Sequence, residues 1–342
     1  MHRINIFMKE REIRPRNLHQ TILKLSKQDT ARFILPRKRE LKRIACPACG
    51  AKKHDGGFKK FGMEYAVCRG CKSIYLSPRP TEKHLSKVYN QMKSVKFWET
   101  GFYKETAEAR REKIFAPRAA KVVETARKWL GSRKSSPILM DVGSGYGIFL
   151  EEARKIGYFK DIVGIEPTST LAKVCRQRGF EVLEQWITDR NVKDIERQAD
   201  VLTCFEVLEH IHDPLKFVKT FTQLLAPGGI FILSFPSASG LDVQLLGEKS
   251  NTVYPPHHIN ILTVEGVRML AERAGLRVAE ITTPGKLDVD IVKNALQEGG
   301  IEKTDGFFKY IFWRNDEKLL ADLQKFCSDH LLSSHLFLVL RK

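Results

Sequence analysis

Asp141-Val142-Gly143-Ser144-Gly145-Tyr146-Gly147 follows a short apolar run, Ile138, Leu139 and Met140, and opens an amphipathic segment with Ile148, Phe149, Leu150 and Ala153. The order reads as strand, glycine turn, helix. Such a turn lets the polar end of a ligand lie against backbone amides at a helix N-terminus, where a side chain at the glycine positions would block it. The spacing departs from the dinucleotide fingerprint Gly-x-Gly-x-x-Gly, and an acid stands before the first glycine. That carboxylate would repel a pyrophosphate.

Two further elements extend the pattern outward. Asp161 to Glu166 reads as a second strand ending in an acid, about 20 residues beyond the turn, where a carboxylate can accept both hydroxyls of a ribose. A third signal follows in Ala199 to His210, whose Glu206, Glu209 and His210 lie at the carboxyl end of the fourth strand, with a helix from about Pro214 to Leu225. Pro227-Gly228-Gly229 then turns the chain into another apolar strand, Ile230 to Phe235. A ligand with a ribose, a cationic amine and a sulfonium suits these acids, and S-adenosylmethionine has all three.

The set resembles class I S-adenosylmethionine-dependent methyltransferases. The matching pieces are LMDVGSGYGIFL at 139–150, VGIEP at 163–167, DVLTCFEVLEHIHDP at 200–214, LLAPGGIFILSFPS at 224–237 and HHINILTVEGVRMLAERAGLRV at 257–278. Within the superfamily the chain looks most like the branch with ubiquinone-type O-methyltransferases and sugar or glycan methyltransferases. The resemblance implies an α/β, Rossmann-like, doubly wound sheet of seven strands. Its last strand, Ser334 to Leu340, would run antiparallel between its neighbours. It also implies a cofactor set: Asp141, Gly143, Ser144, Gly145 and Gly147 at the methionine end, Glu166 on the ribose, and Phe205 and Glu206 beyond the fourth strand. Trp186 either covers the adenine face or is an aromatic that needs no ligand.

Four of the seven cysteines carry a second signal. Cys46-Pro-Ala-Cys49 and Cys68-Arg-Gly-Cys71 give C-x2-C-x18-C-x2-C, within the spacing of a four-thiolate zinc site. Such a site leaves no position open for water, so the zinc would be structural. A zinc ribbon resembles the N-terminal module of some sugar and glycan methyltransferases and also precedes certain ribosomal RNA methyltransferases. The remaining cysteines, Cys175, Cys204 and Cys327, are isolated, a usage that suits a reducing cytoplasm.

Charge is uneven. Residues 1–134 hold 34 Lys and Arg against 12 Asp and Glu, whereas residues 135–342 hold 24 against 28. The basic third would attract polyanions: RNA, anionic lipid surfaces or phosphorylated glycan intermediates. The competing reading of residues 1–45 is a solvated, partly disordered tail. No apolar stretch is long enough for a membrane span, and the N-terminus lacks a signal-peptide pattern. The expected organisation is a basic extension (1–45), the ribbon (46–80), a helical linker or lid (81–134) with a linker-like stretch at 131–137, and the methyltransferase domain (135–342). Late helices are expected at 287–297 and 315–331.

Methyl transfer needs a nucleophile held in line with the methyl, about 3 Å away. An oxygen nucleophile also needs its proton removed, or a metal to lower its pKa. The candidates are His210, Glu206 and His258. Glu206-x-x-Glu209-His210 resembles a run that in ubiquinone-type enzymes can bind a divalent ion and in other relatives holds none, so base, metal ligand and structural roles stay open for His210. In Tyr254-Pro-Pro-His257-His258, an extended backbone would send the two histidines to opposite sides. Asn/Asp-Pro-Pro-Tyr is missing after the fourth strand, and Cys204 lacks a Pro-Cys partner. These features argue against methylation of DNA bases or of cytosine carbon in RNA. The expectation is a cytoplasmic methyltransferase acting on oxygen or carbon of a sugar, glycan intermediate or small metabolite, with an RNA substrate as the alternative.

Overall fold

The structure, a computed structural model, describes residues 8–131, 136–298 and 306–342. Most of the linker-like stretch 131–137 lies outside the described residues. The chain forms two compact units, each from three stretches: residues 1–106, 236–269 and 282–336, and residues 107–235, 270–281 and 337–342. Neither unit coincides with the linear segments expected from composition. The strands, in chain order, are β1 (His54–Lys60), β2 (Met63–Cys68), β3 (Ile74–Leu76), β4 (Ile138–Val142), β5 (Asp161–Ile165), β6 (Glu181–Leu183), β7 (Ala199–Phe205), β8 (Leu225–Pro236), β9 (Asn260–Ile261), β10 (Arg277–Thr282) and β11 (His335–Arg341).

The second unit carries a seven-stranded, mostly parallel sheet in the order β10-β11-β8-β7-β4-β5-β6. β4 pairs in parallel with both β5 and β7. Strand order therefore reverses at β4, and in such sheets ligands bind at the carboxyl ends beside the reversal. Leu139, Val201, Ile230 and Ile232 are wholly buried, as expected of strands covered on both faces and written as unbroken apolar runs. The helix Ala116–Leu130 packs Ala119, Val122, Val123 and Ala126 into the same core. The helix Ile148–Ile156 adds Phe149, Leu150 and Ala153.

The first unit holds a four-stranded sheet, β1-β2-β3-β9. β1 and β2 form a hairpin whose two-residue loop, Phe61-Gly62, has φ of 51° and 80°, the left-handed pair that matches strand twist. The basic N-terminal segment is folded from residue 10 onward: helices Glu10–Ile13 and Arg16–Asp29 bury Ile13, Leu18 and Ile22. This segment is therefore no solvated tail over its described length. Helices Asp288–Gln297, Gly306–Arg314 and Glu317–Asp329 share an apolar core with Leu241 and Leu246. The helix at 306–314 was not anticipated from sequence.

Candidate functional site

The glycine turn lies at the carboxyl end of β4. Gly143, Gly145 and Gly147 all have positive φ, at 77°, 55° and 71°, a region open to glycine at little cost. Their surroundings differ. A Cβ on Gly143 would meet Val207 Cγ2 at 2.6 Å, and one on Gly147 would meet Cys175 Sγ at 3.0 Å. A Cβ on Gly145 would have nothing within 4 Å. Packing thus explains two of the glycines, while the third faces open space. Ser144 closes the turn: its Oγ donates to the Asp141 carbonyl at 2.8 Å and accepts from Ile165 N at 3.2 Å. Cys175 Sγ donates to the Gly145 carbonyl at 3.2 Å.

Carboxylates surround this turn. Asp141 is buried, and its Oδ1 accepts from Thr203 Oγ1 at 2.7 Å. Burial pushes the Asp141 carboxyl up to about 7, against the Thr203 hydrogen bond and the Arg118 charge. Glu166, at the end of β5, accepts from Gly145 N and Thr168 N, both at 2.9 Å. Its carboxyl is also raised by burial, with those amides opposing. Each oxygen of a carboxylate can accept more than one hydrogen bond, so capacity for hydroxyl donors remains.

Beyond β7, Glu206 has φ of 57°, a left-handed conformation unusual outside glycine and often found at functional sites. Its Oε1 receives Arg118 Nη2 at 3.0 Å and lies 3.4 Å from Ser234 Oγ. The Arg118 guanidinium also lies 4.7 Å from the centre of the Phe205 ring, and Phe205 meets Phe149 edge-on at 4.9 Å. Glu209 is 2% exposed, and its Oε2 has no hydrogen-bond partner among the described residues. Burial first, and the Glu206 charge second, hold the Glu209 carboxyl well above its ordinary range. His210 stands half-exposed, with Nε2 3.8 Å from Glu209 Oε1. Trp186 is 74% exposed, in the loop after β6.

In the first unit, the loop at 254–258 is a turn rather than an extended strand, because His257 N and His258 N both bond to the Tyr254 carbonyl. The opposite-sides placement expected for an extended backbone is therefore replaced by two rings on one tyrosine. His257 stacks on Tyr254 at 5.0 Å and His258 meets it edge-on at 5.4 Å. His258 Nδ1 lies 2.8 Å from the Thr252 carbonyl, which can only accept, so Nδ1 carries the proton. His257 Nε2 is 2.9 Å from Ser94 Oγ, whose hydroxyl donates to Asp29 at 2.6 Å.

The four cysteines of the ribbon converge, all free of disulfides. Their sulfurs lie within 4.8 Å of one another, with Cys46–Cys71 at 3.6 Å and Cys49–Cys68 at 3.4 Å. A tetrahedron of Zn–S bonds of about 2.3 Å places its sulfurs about 3.8 Å apart. The set therefore fits a metal ion. Gly50 and Lys72, each directly after a pair's second cysteine, have φ of 80° and 60°, which curls the backbone around the sulfurs. The Cys46–Cys71 hydrogen bond holds the Cys71 thiol down to about 5 and the Cys46 thiol up.

A family model for the methyltransferase domain matches residues 109–281. That is half of the chain. The protein belongs to this methyltransferase family. The ubiquinone biosynthesis O-methyltransferase of Xanthomonas oryzae pv. oryzae is 34% identical over 103 residues, 28% of this chain and 41% of that protein. The enzyme of the same name from Methylococcus capsulatus is 36% identical over 100 residues, with the same coverage. The methyltransferase thus spans about two-fifths of the length of the curated relatives it matches. Among solved structures, the plantazolicin methyltransferase BpumL, in complex with a monoazolic desmethylPZN analog and SAH, is 14% identical, covering 75% of this chain and 93% of its own, with a TM-score of 0.46. CalS10, a SAM-bound amino pentose methyltransferase from Micromonospora echinaspora, is 26% identical over 38% of this chain and 54% of its own, with a TM-score of 0.32.

Sequence reasoning missed two residues of this methyltransferase's site. Thr203 had a signal in the sequence, as a hydroxyl inside the run Val201-Leu-Thr-Cys-Phe205, and like Asp200 it is a buried polar residue of β7. Arg118 gave no signal, because a basic residue on an amphipathic helix ordinarily faces solvent.

Proposed function

We propose that this methyltransferase takes its methyl group from S-adenosylmethionine and delivers it to oxygen or carbon of a sugar, a glycan intermediate or another small metabolite. The observation that carries the donor assignment is Gly145, in left-handed backbone with open space at its Cβ, beside the carboxyls of Asp141 and Glu166, whose charged forms burial disfavours. A cationic ligand relieves that electrostatic cost. Bound there, S-adenosylmethionine would supply a methyl group on an excellent leaving group. Asp141 and the turn Gly143, Ser144, Gly145 and Gly147 would hold its methionine end, and Glu166 its ribose. Phe205 and Glu206 would border it, with Trp186 able to fold over the adenine.

His210 is the proposed base, oriented by Glu209, and Glu206 supports it through charge. His258 is the second candidate: with Nδ1 protonated on Thr252, its Nε2 is the acceptor nitrogen. The partial identity to O-methyltransferases that act in ubiquinone biosynthesis supports oxygen as acceptor atom. The four cysteines would hold a structural zinc ion. Seven free cysteines suit a reducing cytoplasm, and among the described residues no helix is long and apolar enough to cross a membrane.

The test is transfer of labelled methyl from S-adenosylmethionine into a host lysate, with and without ribonuclease. Label in small, nuclease-resistant material supports this proposal. Label in large material that ribonuclease makes small moves the substrate to RNA and assigns the basic N-terminal third to phosphate binding. No transfer at all sinks the enzyme reading.

A further inference from the structure

Within the first unit, Ser334 Oγ stands between two buried carboxyls. It lies 2.7 Å from Asp242 Oδ1 and is also within hydrogen-bond reach of Asp288 Oδ1. Asp242 and Asp288 are both 0% exposed, and Ser334 is 3% exposed. A serine hydroxyl has one proton, so it can donate to only one of two acceptors. With both carboxyls ionised, the other contact would set lone pairs against each other, and two like charges would stand in a dry interior. One proton on either carboxyl removes both costs. That acid then donates to Ser334 Oγ, and Ser334 Oγ donates to the other carboxylate.

The remaining partners say which carboxyl carries the proton. Asp288 Oδ1 accepts from Ser334 N at 2.5 Å, and Asp288 Oδ2 accepts from Gln324 Nε2 at 2.8 Å and from Ser333 Oγ. Val289 N donates to Gln324 Oε1 at 3.1 Å, which fixes the orientation of that amide. Asp288 thus faces two nitrogens that can only donate, and it suits the anion. Asp242 is met mainly by hydroxyls. Ser250 Oγ at 2.9 Å and Thr252 Oγ1 at 3.3 Å donate to its Oδ2, which leaves Oδ1 to hold the proton. Burial first, and the Asp288 charge second, raise the Asp242 carboxyl, against hydrogen bonds from Ser334, Ser250 and Val243 N.

The other titratable groups on these segments leave the pair without a counter-charge. Cys327, on the helix 317–329, is pushed up to about 12 by burial and by the Asp288 charge, so its thiol stays neutral. Asp290 accepts from Glu10 N and Asn294 Nδ2. Lys293 follows Asp288 by five positions, off its i+3 and i+4 face. Glu248, Lys249, Lys286 and the charged residues of the helix 317–329 are exposed, and His335 opens β11 directly after Ser334. Ser250 Oγ also accepts from Thr252 N at 3.1 Å, and the Thr252 carbonyl is the one that His258 Nδ1 meets. The arrangement clamps the helix 241–246, the turn at 250–252, the start of the helix 288–297 and the approach to β11.

We infer that Asp242 and Asp288 share one proton through Ser334, carried by Asp242, and that this proton is a pH-sensitive lock within the first unit. Alkaline pH releases it to solvent, and the clamped segments loosen together. The inference stands apart from the donor and the acceptor proposed above, and from the role of His258.

The test is urea unfolding of the full-length protein from about pH 5 to about pH 9. A carboxyl raised by folding leaves the junction at full strength in the acid range and weakens it as pH rises through the raised value. Asp242→Asn keeps a donor toward Ser334 and an acceptor toward Ser250, with no proton to lose. Its unfolding midpoint should match the wild type or fall below it at the acid end, and exceed it at the alkaline end. Slope that remains in the variant belongs to other raised groups such as Asp141. Asp288→Asn sets an amide nitrogen against Ser334 N or Gln324 Nε2 and should lower the midpoint at every pH. An Asp242→Asn protein less stable than the wild type throughout, or as damaged as Asp288→Asn, overturns the inference. Hydrogen exchange on the wild type gives a second reading that needs no variant. Protection of residues 241–252 and 288–297 should fall with rising pH relative to the β1–β2 hairpin, and an unchanged ratio overturns the inference as well.

Discussion

Gly145 and Gly157 form a matched pair that isolates what the glycine turn does. Both have left-handed backbone, with φ of 55° and 71°, and a Cβ on either would have nothing within 4 Å. Alanine at each position therefore meets the same backbone penalty, about 1–2 kcal/mol, with no clash added. Gly157 caps the C-terminus of the helix Ile148–Ile156, while Gly145 sits in the turn where the donor is proposed to lie. The extra methyl of Gly145→Ala would enter ligand volume, and overpacking a fitted site costs about 1–3 kcal/mol. That corresponds to roughly a 5- to 150-fold loss of affinity for S-adenosylmethionine. Gly157→Ala should lose stability alone. Urea unfolding would supply the stability values and titration calorimetry the affinities. If Gly145→Ala binds S-adenosylmethionine like the wild type, the turn is not the donor site. If Gly157→Ala weakens binding as much, the effect comes from backbone strain and the reasoning fails. Gly145→Arg, which fills the space outright, should abolish binding.

The other predictions address charge and metal. Asp141 is raised by burial from 3.8 to about 7, so the native state holds a proton that the unfolded chain has released, and stability without ligand should fall as pH rises through this interval. The ceiling is on the order of 4 kcal/mol. Binding of the cationic donor should therefore release a proton near pH 6.5, read by calorimetry in buffers of different ionisation enthalpy; zero release would refute the charge argument. Thr203→Val removes a hydrogen bond from this buried carboxylate and should cost about 1–3 kcal/mol in urea unfolding, while an unchanged midpoint would show the bond to be idle. The purified protein should carry one zinc ion per chain by metal analysis, and a strong chelator should lower its melting temperature. Gly266→Ala would set a Cβ 2.2 Å from Ser73 Oγ, two residues from Cys71, and should speed zinc release to a chromogenic chelator.

The catalytic half was readable because its determinants are local. Leu139 to Val142 runs into three glycines whose left-handed turns few other residues could make, and β5 and β7 repeat the pattern of apolar strand followed by acid. The seven-stranded sheet and the cysteine cluster follow from such short-range signals. Arg118 was out of reach, because its role depends on which strand end its helix passes over. At Tyr254–His258 the sequence left the backbone open and with it the placement of the histidines, which the Tyr254 carbonyl decides by capturing two successive amides and bringing both rings against one tyrosine. The charge count likewise could not tell a solvated tail from a folded one: Ile13, Leu18 and Ile22 bury one side of helices whose other side remains basic.

The linear partition was hidden from sequence for a reason of size. A ribbon of residues 46–80 has too few apolar side chains to bury a core of its own, and chains this short usually depend on a metal or on borrowed structure. This one uses structure nearly 200 residues away. β3 pairs with β9, aligning Ile74 with Ile261 and Tyr75 with Asn260. Ser73 Oγ accepts from Thr263 N at 3.1 Å, and Thr263 Oγ1 donates to the Cys71 carbonyl. Met63, Tyr65 and Leu76 share one core with Val253, Ile259 and Ile261. The residues that complete the ribbon thus lie beside His257 and His258, on the segment that leaves β8 of the methyltransferase sheet. A metal ion held by the four cysteines would fix the ribbon and with it the backbone that carries those histidines, so chelation should disturb the loop before it disturbs the sheet.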